Sequence, residues 1–227
     1  MADLETGKSV WIAGASRGIG ADLDATLTKS GWKVLPLARS LGQDLARPDT
    51  VNKLLEDHPC PYAWLHCMGD YLEKDLLETG KSEWEHLFAS NFISVLYAAR
   101  ALLPRMAAEG GGRILVFGSS GLSLATGKLR APAYFAVKSA LLSAIKSLAR
   151  QWAPKGVTIN MISPGVIIHE HSHAESAQRM ADRIPVGRTG EVADIRGLVE
   201  LLLDDRGSYI TGEEISVDGG LFLQGLG

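Results

Sequence analysis

Short apolar runs rich in β-branched residues recur along the chain, at 9–13, 33–38, 63–67, 113–118, 158–163 and 213–217. Between them lie longer segments whose apolar positions return at helical spacing, at about 18–30, 48–58, 83–109, 131–153 and 191–203. Strand-sized runs alternating with helix-sized segments predict crossover units on a parallel sheet. No repeat, linker or composition break interrupts the alternation, so a single domain over residues 1–227 is expected. Such a sheet binds ligands beyond the C-terminal ends of its strands. That rule directs attention to residues 14–20, 67–70, 118–121 and 164–173.

The alternation fails at one place. Only five residues separate Ala38 from Asp44, whereas a parallel neighbour needs a crossover of about a dozen. Residues 41–45 therefore cannot add a parallel strand outside 33–38. Six main strands are expected, with 33–38 at an edge, where Pro36 is tolerated because an edge does not need every backbone donor.

Composition narrows the function classes. Lys and Arg number 23 against 26 Asp and Glu, giving a net charge of −3 without any block of one sign. Nucleic-acid and anionic-membrane binding both become minority readings. Apolar residues make up 46% of the chain but fall in short runs, below the roughly 20 needed to cross a bilayer. Met1-Ala2-Asp3-Leu4-Glu5 lacks the basic-then-apolar pattern of a secretory signal, and the two cysteines, Cys60 and Cys67, suit a reducing cytoplasm. Glycine is in excess, at 25 of 227 residues, and should mark tight turns or close backbone approach.

Candidate chemistry gathers at the expected strand ends. Gly14-Ala15-Ser16-Arg17-Gly18-Ile19-Gly20 follows the first strand and opens a helix, a turn that can close on a pyrophosphate or be purely structural. Tyr134 and Lys138 share one helix face, with Ser119 at the end of the preceding strand. Together with Asn91, Asn160 and Pro164-Gly165, in this order, these residues resemble the short-chain dehydrogenase/reductase family over nearly the whole chain. The stretch from Ile184-Pro185-Val186-Gly187-Arg188 through Tyr209-Ile210-Thr211-Gly212 to Val217-Asp218-Gly219-Gly220 resembles its 3-oxoacyl-carrier-protein reductase branch.

The resemblance implies a single Rossmann-like, doubly wound parallel α/β domain in which the usual third edge strand and its helix are shortened or lost. It implies hydride transfer between a nicotinamide cofactor and a carbonyl or secondary alcohol. Tyr134 is then the acid, Lys138 lowers its pKa and holds the nicotinamide ribose, and Asn91 lies where the helix opens to hold a water. Ser119, with Ser120 as the alternative, places the substrate oxygen. Gly14, Ser16, Arg17, Gly18, Ile19, Gly20 and Gly69 would approach the cofactor, while Pro164, Gly165, Val166 and Ile167 face its carboxamide. Asp44 aligns with the family's adenine-side Asp. A substrate lid is expected over about 166–187, and a homotetramer is the usual assembly.

Several positions depart from the family pattern. Ala38-Arg39-Ser40 carries no acid beyond the second strand, which favours NADP(H) over NAD(H), with Arg39, Ser40 and Arg17 near a 2′-phosphate. His66-Cys67-Met68 replaces two Asn residues and an Ala, and packed structural substitution is expected there. His169 stands in place of a usual Thr, so one hydroxyl contact to the diphosphate is lost. His169, His171 and His173 are read as part of a polar lid in preference to a metal site. The expected substrate is a small-molecule ketone or an acyl-thioester carbonyl. A dehydrogenase of a hydroxylated or dihydrodiol ring and an NADP(H)-binding sensor without turnover are the alternatives.

Overall fold

The structure is a computed structural model describing residues 8–124, 127–168 and 181–223. Its strands are β1 Ser9–Ala13, β2 Lys33–Leu37, β3 Ala63–His66, β4 Gly112–Phe117, β5 Val157–Pro164 and β6 Glu214–Val217. All pair in parallel, in the order β2-β1-β3-β4-β5-β6. β1 thus lies between β2 and β3, with Ala13 in register with Leu37 on one side and His66 on the other.

Alternation of side chains along each strand feeds two cores. Trp11, Trp64, Ile114 and Ile159 point to one face, against α2 Thr50–Asp57, α4 Ser94–Ala108 and α5 Pro132–Trp152. Val10, Ile12, Leu65 and Leu115 point to the other, against α1 Gly18–Lys29 and α6 Ala193–Leu203. The central strands β3 and β4 are buried throughout, as expected of a sheet covered on both faces. β2 begins exposed at Lys33 and carries Pro36 opposite Ile12.

The short connection after β2 does what its length permits. Ala38 N–H donates to the Gln43 side chain at 3.1 Å, and Gln43 N–H returns to Ala38 O at 3.1 Å, so the chain folds straight back. Leu45 then plugs the core at 1% exposure. Among the described residues no strand pairs outside β2, in line with the six-strand expectation.

The helical segment expected over 83–109 is divided at Asn91, the position at which the resemblance places an opening. α3 Lys81–Phe88 and α4 are joined by a wide π turn over Ala89–Ile93, because buried polar side chains compete with the helical hydrogen-bond ladder there. The continuous run Lys81–Ala108 is long and apolar enough to cross a membrane by composition. Val95, Ala98, Ala99, Leu102, Leu103 and Met106 instead bury its second half against the sheet.

Replacing Leu45 by Ala should lower the unfolding free energy by about 2–5 kcal/mol. Urea titration measures it, and an unchanged midpoint would show that the short connection does not rely on this plug.

Candidate active site

The glycine loop is built by contact with its neighbours. Gly14 N–H donates to Leu37 O at 2.8 Å, and Cys67 N–H to Ala13 O at 2.9 Å, so the ends of β2 and β3 hold the loop between them. A β-carbon on Gly20 would overlap Gly14 O, so only glycine lets α1 start this close to the strand. The first turn of α1 has neither a side-chain cap nor an acidic residue, leaving N–H groups and the positive dipole end directed into the crevice. Ser16 and Arg17 are exposed, and Ile19 packs into the second core. A cavity of about 710 Å³ brings Ser16, Arg17 and Gly18 together with Ile168 and Val192.

α5 carries the central pair. Ala131, fully buried, precedes it at φ +53°, a conformation uncommon outside glycine, and Pro132 supplies the first helical φ. Arg130 is held alongside by two 2.9 Å bonds to Glu73. Lys138 is 2% exposed, and its Nζ donates to Phe117 O at 2.7 Å, which ties α5 to the end of β4. Burial lowers Lys138 to about 8. Tyr134 lies one turn earlier, edge-on to Tyr71 at 5.1 Å and to Phe135 at 5.6 Å.

Desolvation, with Tyr71 adding to it, raises the Tyr134 phenol to about 12. The Lys138 ammonium is turned toward Phe117 O and stands 5.7 Å from the Tyr134 ring centroid.

Asn91 sits in the middle of the π turn, fully buried. Its Nδ2 donates to Asp70 O at 2.9 Å and to Leu87 O at 3.1 Å, while its Oδ1 has no partner. Gly69, at φ +151°, allows this packing: a β-carbon would overlap Asn91 Oδ1 and stand 3.3 Å from Lys138 Nζ. Gly69, Asn91 and Lys138 therefore meet at one point, and a spare buried acceptor beside an ammonium suits a bridging water.

The two serines after β4 have different surroundings. Ser120 is 1% exposed; its hydroxyl donates to the Asp218 carboxylate and its N–H to Pro164 O at 3.0 Å. Ser119 is half-buried, and its hydroxyl makes no hydrogen bond among the described residues. Beyond β5, Gly165 N–H donates to Val217 O at 2.9 Å, and Val166 O accepts from Gly190 N–H at 2.9 Å. Val166 and Ile167 line a second cavity, of about 240 Å³, with Val217 and Asp218.

Comparison with known proteins bears on this geometry. A family model described as "Enoyl-(Acyl carrier protein) reductase" matches residues 43–222. The 3-oxoacyl-[acyl-carrier-protein] reductase FabG of Salmonella typhimurium is 30% identical over 241 residues, covering 96% of this chain and 98% of that protein. The chain belongs to the short-chain dehydrogenase/reductase family. The FabG of Escherichia coli K12 is 29% identical over the same shares. Two solved structures share the family fold at lower identity. L-sorbose reductase from Gluconobacter frateurii, complexed with NADPH and L-sorbose, superposes with TM-score 0.88 at 23% identity, covering 99% of this chain and 100% of that one. ElxO with NADP bound gives 0.87 at 22% identity, over 96% and 99%.

A second group of charged side chains lies beyond β2 in this short-chain dehydrogenase/reductase. Arg39 begins a single tight turn, with Ser40 exposed beside it. Its guanidinium pairs with Asp70 at 3.3 Å, and Asp70 also meets His86 Nε2 at 2.8 Å. Asp44 serves the return of the chain: its carboxylate accepts from Ala46 N–H at 3.1 Å and its carbonyl from the Thr50 hydroxyl at 2.6 Å. His169, His171 and His173 lie outside the described residues. Sequence reasoning missed Asp70, Tyr71 and the Asp218 contact. Asp70 directly follows Gly69, and that adjacency was the available signal.

His66 and Cys67 pack behind the site. Ser94 Oγ donates to Ser90 O at 2.9 Å, so the 2.9 Å contact between His66 Nε2 and Ser94 Oγ must be donated by the imidazole. Nδ1 is then bare and unpartnered in a fully buried ring. Burial, followed by the Lys138 charge, lowers His66 to about 3, and burial pushes the Cys67 thiol up.

The folded value of His66 lies below its ordinary 6.5, so the stability it contributes is complete above about pH 6.5 and is lost as pH falls toward 3. His66→Gln should flatten the stability profile across that window by up to about 1.4 kcal/mol per pH unit. Chemical denaturation at stepped pH measures this; equal slopes would remove His66 from the acid response.

Proposed function

We propose that this family member is an NADP(H)-dependent carbonyl reductase acting on a ketone or 3-oxoacyl thioester. The observation that carries the reading is the buried Lys138, bonded to the end of β4 with Tyr134 one turn away and Ser119 uncommitted just beyond that end. The names of the FabG relatives support a 3-oxoacyl substrate, and the NADPH and NADP in the two similar structures support the cofactor.

The residues present fit a dinucleotide. Gly20 and Gly69 stand where any β-carbon would collide with backbone or with Asn91, and the first turn of α1 is uncapped. Gly14, Ser16, Arg17, Gly18, Ile19 and Gly20 would hold the pyrophosphate, and Arg39 with Ser40 a 2′-phosphate. Gly69 would meet the adenosine ribose, Tyr134 and Lys138 the nicotinamide ribose, and Pro164, Gly165, Val166 and Ile167 the carboxamide. The nicotinamide supplies the hydride when bound.

The chain's own residues manage the proton. The Ser119 hydroxyl donates to the substrate oxygen and sets it against Tyr134. With its phenol raised to about 12, Tyr134 is protonated at neutral pH and gives its proton to that oxygen as the C–O bond becomes single. The Lys138 ammonium stabilises the phenolate left behind, and Asn91 positions a water that returns the proton. Ser120 instead braces Asp218 beneath the site.

Tyr134→Phe should lower kcat for NADPH-driven ketone reduction by about 10²–10⁴-fold, and Ser119→Ala should cost far more than Ser120→Ala. Tight NADPH binding by the wild type without turnover across a ketone panel would instead mark a sensor or scaffold. Oxidation of a cyclic diol without ketone reduction would favour the dehydrogenase alternative.

The same reading takes residues 1–227 as one dinucleotide-binding unit with a lid over about 166–187, working in the cytoplasm, where its two free cysteines stay reduced. It takes the assembly as a homotetramer. Ala136, Ser139 and Ser143 form a small, exposed face on α5, and Leu223 is 77% exposed near the end of the chain. Light scattering should give four times the chain mass; a monomer would overturn the assembly.

A further inference from the structure

Asp70 directly follows Gly69 and pairs with Arg39 from the end of β2, beside the glycine loop. Strand order makes its position informative. β2 and β3 flank β1, Arg39 lies two residues beyond β2, and Asp70 lies four beyond β3. Their ion pair, at 3.3–3.4 Å to the two carboxylate oxygens, therefore passes over the end of β1, where the glycine loop begins. An adenosine entering at that end of the crevice meets the pair.

Asp70 is fixed, whereas Arg39 is free to change partner. The Asp70 carbonyl accepts from Asn91 Nδ2 at 2.9 Å, and its N–H donates to Ser90 Oγ at 3.3 Å, so the π turn holds its backbone at both ends. His86 Nε2 meets the carboxylate at Oδ2, at 2.8 Å, the same oxygen that Arg39 reaches at 3.3 Å, and so remains a partner if Arg39 leaves. The Arg39 side chain is 55% exposed, and an ion pair this accessible is weak and easily exchanged. A 2′-phosphate offers the same guanidinium a stronger, doubly charged partner.

We propose that Asp70 is a cofactor-discriminating residue: its carboxylate holds Arg39 across the adenosine end of the crevice and yields it to a 2′-phosphate. The inference rests on the reading that Arg39 recognises that phosphate. It assigns Asp70 the role of a competing counter-ion that weakens NADP(H) binding, while His86 retains the carboxylate after the exchange. Relative to a chain without this acid, the site discriminates less between phosphorylated and unphosphorylated adenosine.

Isothermal titration calorimetry with NADP⁺ and NAD⁺, on the full chain, tests the exchange. Asp70→Asn, and Asp70→Ser as a second variant should the first fail to fold, should tighten NADP⁺ binding about three- to tenfold, as expected for removing an accessible competing charge. NAD⁺ binding should stay unchanged. Arg39→Ala should collapse the preference for NADP⁺, and in that background Asp70→Asn should have no further effect. If Arg39→Ala collapses the preference but the Asp70 variants leave NADP⁺ affinity unchanged or weaker, the counter-ion role falls and the Arg39 reading stands. If Arg39→Ala leaves the preference intact, the Arg39 reading falls and takes the proposal with it. An equal gain from Asp70→Asn with and without Arg39 would overturn the exchange, because the carboxylate would then act on the phosphate alone.

Discussion

A buried ammonium with no carboxylate paired to it among the described residues governs the arrangement of this site. Lys138 is 2% exposed, and the only hydrogen bond it makes among the described residues goes to a main-chain carbonyl, Phe117 O. Removing such a charge from water is expensive, and the site responds in two ways. Its pKa falls to about 8, and the surroundings become polar without becoming acidic. The π turn is part of that response, because it brings the Asn91 amide to the same point and leaves an acceptor in reserve. Gly69 is part of it too, since any side chain there would displace Asn91. His66 feels the same charge and stays neutral. Helix break, glycine and neutral imidazole are thus linked through one cation.

Burial acts on the neighbouring phenol as well. Tyr134 shares the dry environment of Lys138 but not a hydrogen bond with it, so desolvation dominates and the phenol holds its proton. Tyr71 contributes by closing one side of the Tyr134 ring, and Glu73 with Arg130 fixes the segment leading to the left-handed Ala131. The helix carrying the acid is therefore positioned from both sides before any ligand arrives.

Much of this architecture could be read from the chain because its signals are local. Alternation of strand-sized and helix-sized segments located all six strands to within a residue or two of the observed bounds, and a five-residue gap was enough to exclude a strand beyond β2. The chemistry-bearing residues also stand in order at strand ends, where a linear reading can find them. Other features depend on contacts distant in sequence. The resemblance marks the opening at Asn91, but the contact that fixes its amide is Asp70 O, 21 residues away. The state of Tyr134 depends on burial, which spacing alone does not encode. The difference between Ser119 and Ser120 rests on Asp218, 98 residues beyond Ser120.

Loss of the outer strand and the placement of Asp70 belong to one structural logic. Where the resemblance expects a further strand and helix, this chain turns back at Gln43 and leaves Arg39 and Ser40 exposed just beyond the buried end of β2. A lone guanidinium at such a place would sample many positions, and ordering it would cost entropy each time a ligand bound. Asp70 stands on a backbone clamped by Ser90 and Asn91, so it gives Arg39 a fixed point to which it returns. Because Asn91 also packs against Gly69 beside Lys138, the Arg39–Asp70 pair and the Lys138 side of the crevice share one structural element. The π turn therefore joins the two ends of the crevice, and its geometry limits how far either can change without the other.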